Sequence, residues 1–404
     1  MYSLKSIIFG DLIHKLLYIY QLNANKMIER SIEKHLKTRL FKGKAILIFG
    51  SRQVGKTTLL KKIIQDQTLP TLWLSGDEPD IRLALTNTTS TQLRGLIGQA
   101  KIVVIDEAQR IENIGLTIKL ATDNFSDIQI IATGSSAFEL ANKINEPLTG
   151  RKFEYFLFPF SFDELAKKNG IIEEKRMLER RLIFGSYPEV VNQVGNEKEI
   201  LNLLTNSYLY KDLLEYEGIK KSSLLSKILR ALALQLGSEV SYNEVSQIVG
   251  ADKNTVEKYI DLLEQAFVLF RLNAFSRNVR NELKKSKKIY FYDNGIRNAI
   301  IGNFQLLGNR TDVGALWENY LMAERMKVRK YNQAYGETYF WRTAQQQEID
   351  YLEEKDGLIN AFEFKWNSKE RVRFPKTFIE AYPNSTLTTV NPSNYNDFLA
   401  SEEG

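Results

Sequence analysis

Apolar residues follow two rhythms along this chain. Near-continuous runs of strand length occur at 45–49 (AILIF), 101–107 (KIVVIDE) and 128–137 (IQIIATGSSA). Such runs fit strands buried on both faces of a parallel sheet. Between them the period is helical, as in TLLKKIIQ directly after the first run, and in 27–40, where Ile28, Ile32, His35, Leu36 and Leu40 share one face. Residues 160–235 read as helices, broken at 184–189 (FGSYPE), where Pro188 starts a new one. The segment Tyr208–Leu213 reads as an amphipathic packing helix. Three more helices are expected at 224–237, 241–250 and 252–267, with Gly250 at a turn, then strands at 268–275 and 287–294. The last hundred residues predict a helix at 315–330 and strands at 338–342, 347–352 and 361–366. Strands alternating with helices imply an α/β chain.

Composition narrows the chemistry. With 404 residues, two to three domains are expected. There is no cysteine, which removes disulfides, thiolate metal sites and cysteine nucleophiles. The two histidines, His14 and His35, lie far from any later motif, so a histidine triad is excluded. A net charge of +6 is compatible with a nucleic-acid partner but too mild to argue for one. Residues 1–26 are apolar but interrupted by Asp11, His14 and Lys15, and lack the pattern of a signal peptide or membrane span. They fit an extra helix, a membrane-surface segment or an extension upstream of a natural start at Met27; the extension is preferred. No stable membrane insertion and a cytoplasmic location are expected.

The strongest chemical signal follows the first apolar run. Gly50, Ser51, Arg52, Gln53, Val54, Gly55, Lys56 and Thr57 match GxxxxGK[ST], with Thr58 next. Glycines let backbone N–H groups curl around a β-phosphate, and the following helix adds its positive end. Lys56 is placed to reach the β- and γ-phosphates, and the Thr57 hydroxyl to ligate Mg²⁺. A chance glycine-rich turn is the alternative, and a strand before with a helix after argues against it. The second run ends in Asp106 and Glu107. There Asp106 would hold the Mg²⁺ shell and Glu107 would orient and deprotonate the attacking water. ATP and Mg²⁺ are the expected ligands.

The third run carries Thr133, Ser135 and Ser136 at its end, where a hydroxyl, Ser135 above all, would sense the γ-phosphate; a helix N-cap explains them almost as well. Beyond it, Arg151 either reaches a γ-phosphate, in its own or a neighbouring subunit, or makes a surface salt bridge.

These motifs, GSRQVGKTTL, VVIDEAQRI, ATGSSAFEL and LTGRKFEYFLFPFSFDEL, resemble the prokaryotic AAA-type ATPases of the archaeal-ATPase clade. The resemblance runs from about Met27 to the end. It implies an ATPase core with a lid, a winged helix and a nuclease-like domain, but no defined cellular role. The family carries a turn similar to the G-x-P-E segment here, and its typical chain begins with a helix shortly before the phosphate loop, as from Met27. The expected architecture is a P-loop NTPase parallel sheet flanked by helices, then a helical and winged-helix region, then a small α/β nuclease-like domain. The corresponding divisions are 1–26, 27–160, 161–300 and 301–404.

Two features of the second half carry possible chemistry. The helices at 241–267 have the pattern of a helix-turn-helix. The connection after them holds Arg277, Arg280, Lys284, Lys285, Lys287 and Lys288, which as a wing would lie against DNA phosphates, or form a solvated loop in a protein-binding module. Further on, Glu363 and Lys365 alternate on one strand face, Asp350 belongs to the preceding strand and Glu318 to a helix. Together they would form a divalent-metal pocket, with Lys365 polarising water. This order resembles the PD-(D/E)XK nuclease fold, although Gln347 stands where the family often has glycine. A cross-strand ion pair is the plain alternative.

The reading is therefore an ATPase whose hydrolysis drives a conformational change in its C-terminal half, acting on DNA, a protein partner or further copies of itself. A nucleotide-gated nuclease and a non-hydrolysing scaffold are the alternatives.

Overall fold

The computed structural model describes residues 27–135, 148–209, 222–276, 287–370 and 372–400. Its first sheet has the strands β1 (Ala45–Phe49), β2 (Thr71–Ser75), β3 (Ile102–Asp106), β4 (Gln129–Gly134) and β5 (Lys152–Phe156) in the order β2-β3-β4-β1-β5. Every pairing is parallel. All residues of β1 and β4 are buried, which is why these runs show no alternation. Helices Lys56–Gln65, Ser90–Ile97 and Ile114–Asn124 cover the sheet, burying Leu59, Ile63, Leu93, Ile114 and Ile118 in one core. The order sets β4 between β1 and β3, so the chain ends of β1 and β3 flank a single crevice. Ligands of open parallel sheets bind at that end. This is a P-loop NTPase sheet flanked by helices. The helix near the N-terminus spans Glu33–Arg39; it buries Leu36, while His35, expected on the apolar face, is exposed.

A second, mixed sheet follows. Its strands are β6 (Glu239–Val240), β7 (Leu269–Ala274), β8 (Lys287–Phe291), β9 (Glu337–Arg342), β10 (Glu348–Lys355), β11 (Leu358–Phe364) and β12 (Thr386–Val390), ordered β12-β11-β10-β9-β7-β8-β6. The join is made by β7 and β9, parallel through Asn273↔Tyr339 and Ala274↔Phe340. The antiparallel β7-β8 hairpin thus lies in the same sheet as the strands beyond residue 300. The helix Val313–Tyr331 lies on this sheet, its Trp317 and Leu321 sharing one core with Ile289, Phe340 and Tyr351.

Three helices, Ser222–Leu234, Tyr242–Val249 and Lys253–Gln265, precede the hairpin. Ser241 caps the second by accepting from the Glu244 N–H, and Asp252 caps the third by accepting from the Thr255 N–H. The segment joining the two halves, 157–162, is held on the long helix: Phe162 N–H donates to Glu324 (2.6 Å) and Lys327 Nζ to the Phe160 carbonyl (3.1 Å). No helix among the described residues is long and apolar enough to cross a membrane.

Candidate nucleotide site and a C-terminal ion cluster

The loop after β1 is shaped by close backbone contact. Leu157 N–H donates to the Phe49 carbonyl (2.7 Å), which brings the chain after β5 against Gly50. A Cβ at Gly50 would stand 2.1 Å from the Leu157 oxygen, so only glycine fits there. Lys56 begins the helix Lys56–Gln65 and folds back across the loop, Nζ donating to the carbonyls of Gly50 (2.8 Å) and Ser51 (3.0 Å). Ser51 Oγ and Tyr187 Oη share a hydrogen bond of 2.9 Å, tying the loop to the FGSYPE turn. Thr58 points to solvent.

Across the crevice, Thr57 Oγ1 donates to Asp106 Oδ2 at 2.9 Å, and the buried Thr133 hydroxyl of β4 donates to the other oxygen, Asp106 Oδ1. Asp106 is thereby fixed from the helix after β1 and from the neighbouring strand β4. A hydroxyl and a carboxylate side by side are the hard oxygen donors Mg²⁺ prefers, and the residues fit that ion. Glu107 has φ of 50°, its N–H donates to Thr133 Oγ1 (3.3 Å), and Gln109 Nε2 donates to Glu107 Oε2 (2.6 Å). The same amide donates to Ser135 Oγ (2.9 Å), so Ser135 reaches Glu107 through Gln109. Ser136 lies outside the described residues.

Arg151 stands elsewhere. It immediately precedes β5, and its carbonyl accepts from the Ala45 N–H at the start of β1 (2.9 Å). That is the end of the sheet opposite the loop, about 15 Å of strand away at roughly 3.3 Å per residue. Its Nε pairs with Asp123 at 2.6 Å. The expectation of a γ-phosphate contact within one chain is corrected by this placement: β5 runs parallel to β1, so its start and the loop lie at opposite ends.

In the second half, Glu318, Asp350, Glu363 and Lys365 do lie near one another, but around an unexpected cation. Lys288 of β8 is buried, with Nζ 2.9 Å from Glu318, 2.5 Å from Glu348 and 4.0 Å from Asp350. Tyr290 Oη donates to Glu318 (2.6 Å), the Phe364 N–H donates to Asp350 (2.8 Å), and Lys365 lies 3.5 Å from Glu363. Burial pushes the Asp350 carboxyl up to about 7, with the Glu363 charge adding to the rise. Burial also carries Glu318 up to about 7, against the pull of Lys288. Burial works to lower the Lys288 pKa, yet the surrounding carboxylates hold it above the ordinary lysine value.

Two expectations change here. Lys288 belongs to this cluster and is not available to DNA phosphates, because alternation on β8 turns it inward with Tyr290. Lys287 faces the other way, over the Tyr242 ring, and Arg277, Arg280, Lys284 and Lys285 lie outside the described residues. The acids also do not converge as a metal pocket: among the described residues no group of three His, Asp or Glu is arranged to hold an ion. The Lys288 ammonium balances them instead. Glu318 and Glu348 are taken up by that ammonium, while Asp350 stands against Glu363. Sequence reasoning gave Lys288 another role, in the wing, and missed Tyr290, Glu348, Arg30, Tyr187 and Gln109. Lys288 and Tyr290 alternate in KKIYF, which was a usable sign; Tyr187 and Arg30 gave none.

Comparison with known proteins divides the chain in three. Residues 42–166 match the family described as an AAA domain. Residues 175–307 and 313–402 match two domains of unknown function, DUF8612 and DUF4143. An uncharacterized protein of Haemophilus influenzae is 27% identical over 276 residues, covering 63% of this chain and 69% of its own length. An uncharacterized protein of Mycobacterium tuberculosis is 24% identical over 347 residues, 84% of this chain and 74% of its own length. Among solved structures, a Walker-type ATPase of Pyrococcus abyssi aligns with a TM-score of 0.48 at 16% identity, over 68% of this chain and 96% of that one. The RuvB Holliday junction branch migration motor of Thermotoga maritima aligns with a TM-score of 0.31 at 19% identity, over 60% and 90%. Residues 42–166, which hold the P-loop sheet described above, thus match an AAA domain.

Proposed function

We propose that this protein binds Mg-ATP at the loop 50–57, hydrolyses it, and uses the cycle to change the arrangement of its C-terminal half. One observation carries the reading: the Thr57 hydroxyl and the Asp106 carboxylate meet at 2.9 Å beside the buried Lys56. Bound Mg²⁺ would neutralise charge on the phosphates, held by Thr57 and Asp106. On ATP binding, Lys56 exchanges the Gly50 and Ser51 carbonyls for β- and γ-phosphate oxygens. Glu107 accepts a proton from water as its oxygen attacks the γ-phosphorus, and the bond to the β–γ bridging oxygen breaks to leave ADP and phosphate. Gln109, bonded to both Glu107 and Ser135, orients that carboxylate. The C-terminal half serves as the responding element, binding DNA or protein.

The nuclease reading ranks second, because Lys288 takes up Glu318 and Glu348 and leaves Asp350 and Glu363 as the remaining acids. Phosphate release from Mg-ATP, measured with and without DNA beside Lys56→Ala, tests the proposal. Turnover that disappears in the variant supports it. Binding of ATP without turnover would replace it with the non-hydrolysing scaffold, and no binding would overturn both.

A further inference from the structure

Arg30 lies outside every motif above, yet it is buried and reaches three parts of the molecule at once. Its Nη1 donates to the Val54 carbonyl inside the phosphate loop (2.7 Å). Its Nη2 donates to the Phe158 carbonyl (2.5 Å) and to Tyr331 Oη (3.4 Å), and its Nε to Glu164 Oε1 (3.1 Å). The guanidinium also stacks over the Phe160 ring, 4.8 Å from its centre. Glu164 is itself held by the N–H groups of Ser31 (2.8 Å) and Ser161 (2.9 Å), so both of its oxygens accept and the pair is fixed in place. Tyr331 ends the long helix Val313–Tyr331, and its hydroxyl accepts from the Phe158 N–H (3.2 Å).

The bond to Val54 has a geometric consequence. A trans peptide is planar, with its C=O and N–H pointing in opposite directions. A cation holding the Val54 oxygen from outside the loop therefore aims the Gly55 N–H towards the loop's open side. Gly55 has φ of 94°, a conformation a glycine can also leave easily, so the peptide needs an external hold. Only a planar fork of five donors can hold this carbonyl, the Phe158 carbonyl, Glu164 and Tyr331 together.

We propose that Arg30 is a positioning residue for the nucleotide loop. It presets the Gly55 N–H for a phosphate oxygen and, through the hydroxyl of Tyr331, joins the state of the loop to the helix 313–331. The inference rests on the nucleotide reading above and names how that site is linked to the C-terminal half. When a phosphate draws on the Gly55 N–H, the Val54 carbonyl polarises and its bond to Arg30 strengthens. The tightened guanidinium then holds Tyr331 and the Phe158 segment more firmly.

The test uses the full chain, with Mg-ATP binding by calorimetry, steady-state phosphate release, and amide-hydrogen exchange of residues 324–331 with and without Mg-ATP. Arg30→Lys keeps the charge beside Glu164 but loses the fork. It is expected to weaken ATP binding by about tenfold and to raise KM by a similar factor, while kcat falls less than about threefold. A general loss of folded protein would instead lower kcat and leave KM alone. Tyr331→Phe keeps every bond between Arg30 and the loop. Wild-type protein is expected to show ATP-dependent slowing of exchange in 324–331, and Tyr331→Phe to lose that slowing while still binding ATP. An Arg30→Lys protein with wild-type affinity and KM, or a Tyr331→Phe protein with wild-type slowing, overturns the proposal and leaves the nucleotide reading standing. Wild-type protein that binds no ATP overturns the nucleotide reading itself. If Arg30→Lys fails to fold, the exchange measurement on Tyr331→Phe decides.

Discussion

Thr57 and Asp106, 49 residues apart in sequence, meet side chain to side chain at 2.9 Å because β1 and β3 flank a common neighbour, β4. The same neighbour supplies Thr133 to the second oxygen of Asp106. The carboxylate is oriented before any ligand arrives, and rotation of Asp106 would break one bond or the other.

This preorganisation separates binding from chemistry. Glu107→Gln is expected to bind Mg-ATP with near wild-type affinity and to release phosphate about 100-fold more slowly or worse, the usual effect of losing a positioned base. Lys56→Ala should lose binding itself. Calorimetry beside phosphate release distinguishes the two.

Gly76 opens the turn after β2, its N–H donating to the Asp106 carbonyl (2.8 Å), and a Cβ there would stand 2.3 Å from the Glu107 carbonyl oxygen. Backbone must move to admit it. Gly76→Ala is expected to destabilise the fold by about 1–3 kcal/mol and to slow turnover further, by displacing Glu107. Denaturant unfolding together with turnover per folded molecule checks both parts.

Lys288 is the charge on which the C-terminal acid cluster depends. Lys288→Met would leave the largely buried Glu318 without its cation and Glu348 with Arg342 alone, a loss of about 3 kcal/mol. Wild-type protein is expected to cut no DNA with Mg²⁺ or Mn²⁺. Metal-dependent cleavage that disappears in Asp350→Asn would reverse the assignment of this cluster.

Acid sensitivity should arise near the start of the long helix. Burial would raise the Asp312 carboxyl, but Arg310 and Arg297 overcome it and bring the group down to about 2 from 3.8. A depressed acid adds stability above the unfolded value, and that stability is lost as pH falls from about 4 to about 2. The shift corresponds to about 2 kcal/mol. Asp312→Asn should therefore be less stable than wild type at pH 7, and the difference should shrink towards pH 2 in urea titrations.

Local pattern made much of this protein readable. The apolar runs at β1, β3 and β4 mark strands covered on both faces, and the spacing from Gly50 to Thr57 is a property of one turn of chain. The two later helices, with Gly250 between them and serine or aspartate caps, were equally local. At the far end, strand positions in β9, β10 and β11 followed from short apolar segments, and the helix around Glu318 from its period.

What the sequence left open depended on pairings between distant segments. Arg151 reads the same whether it precedes a strand at the loop end or at the opposite end, and only the parallel register of β5 on β1 decides this. Lys288 reads as one of six basic residues until β8 pairs with β7 and turns it towards Glu318 and Glu348. Arg30 carries no motif, since its partners Val54, Phe158, Glu164 and Tyr331 lie up to 301 residues away. A sequence determines the rhythm and chemistry of each segment, because those arise from neighbours along the chain. Which buried charges meet is decided only when the segments pack, because a charge removed from water takes whatever partner the fold brings within reach.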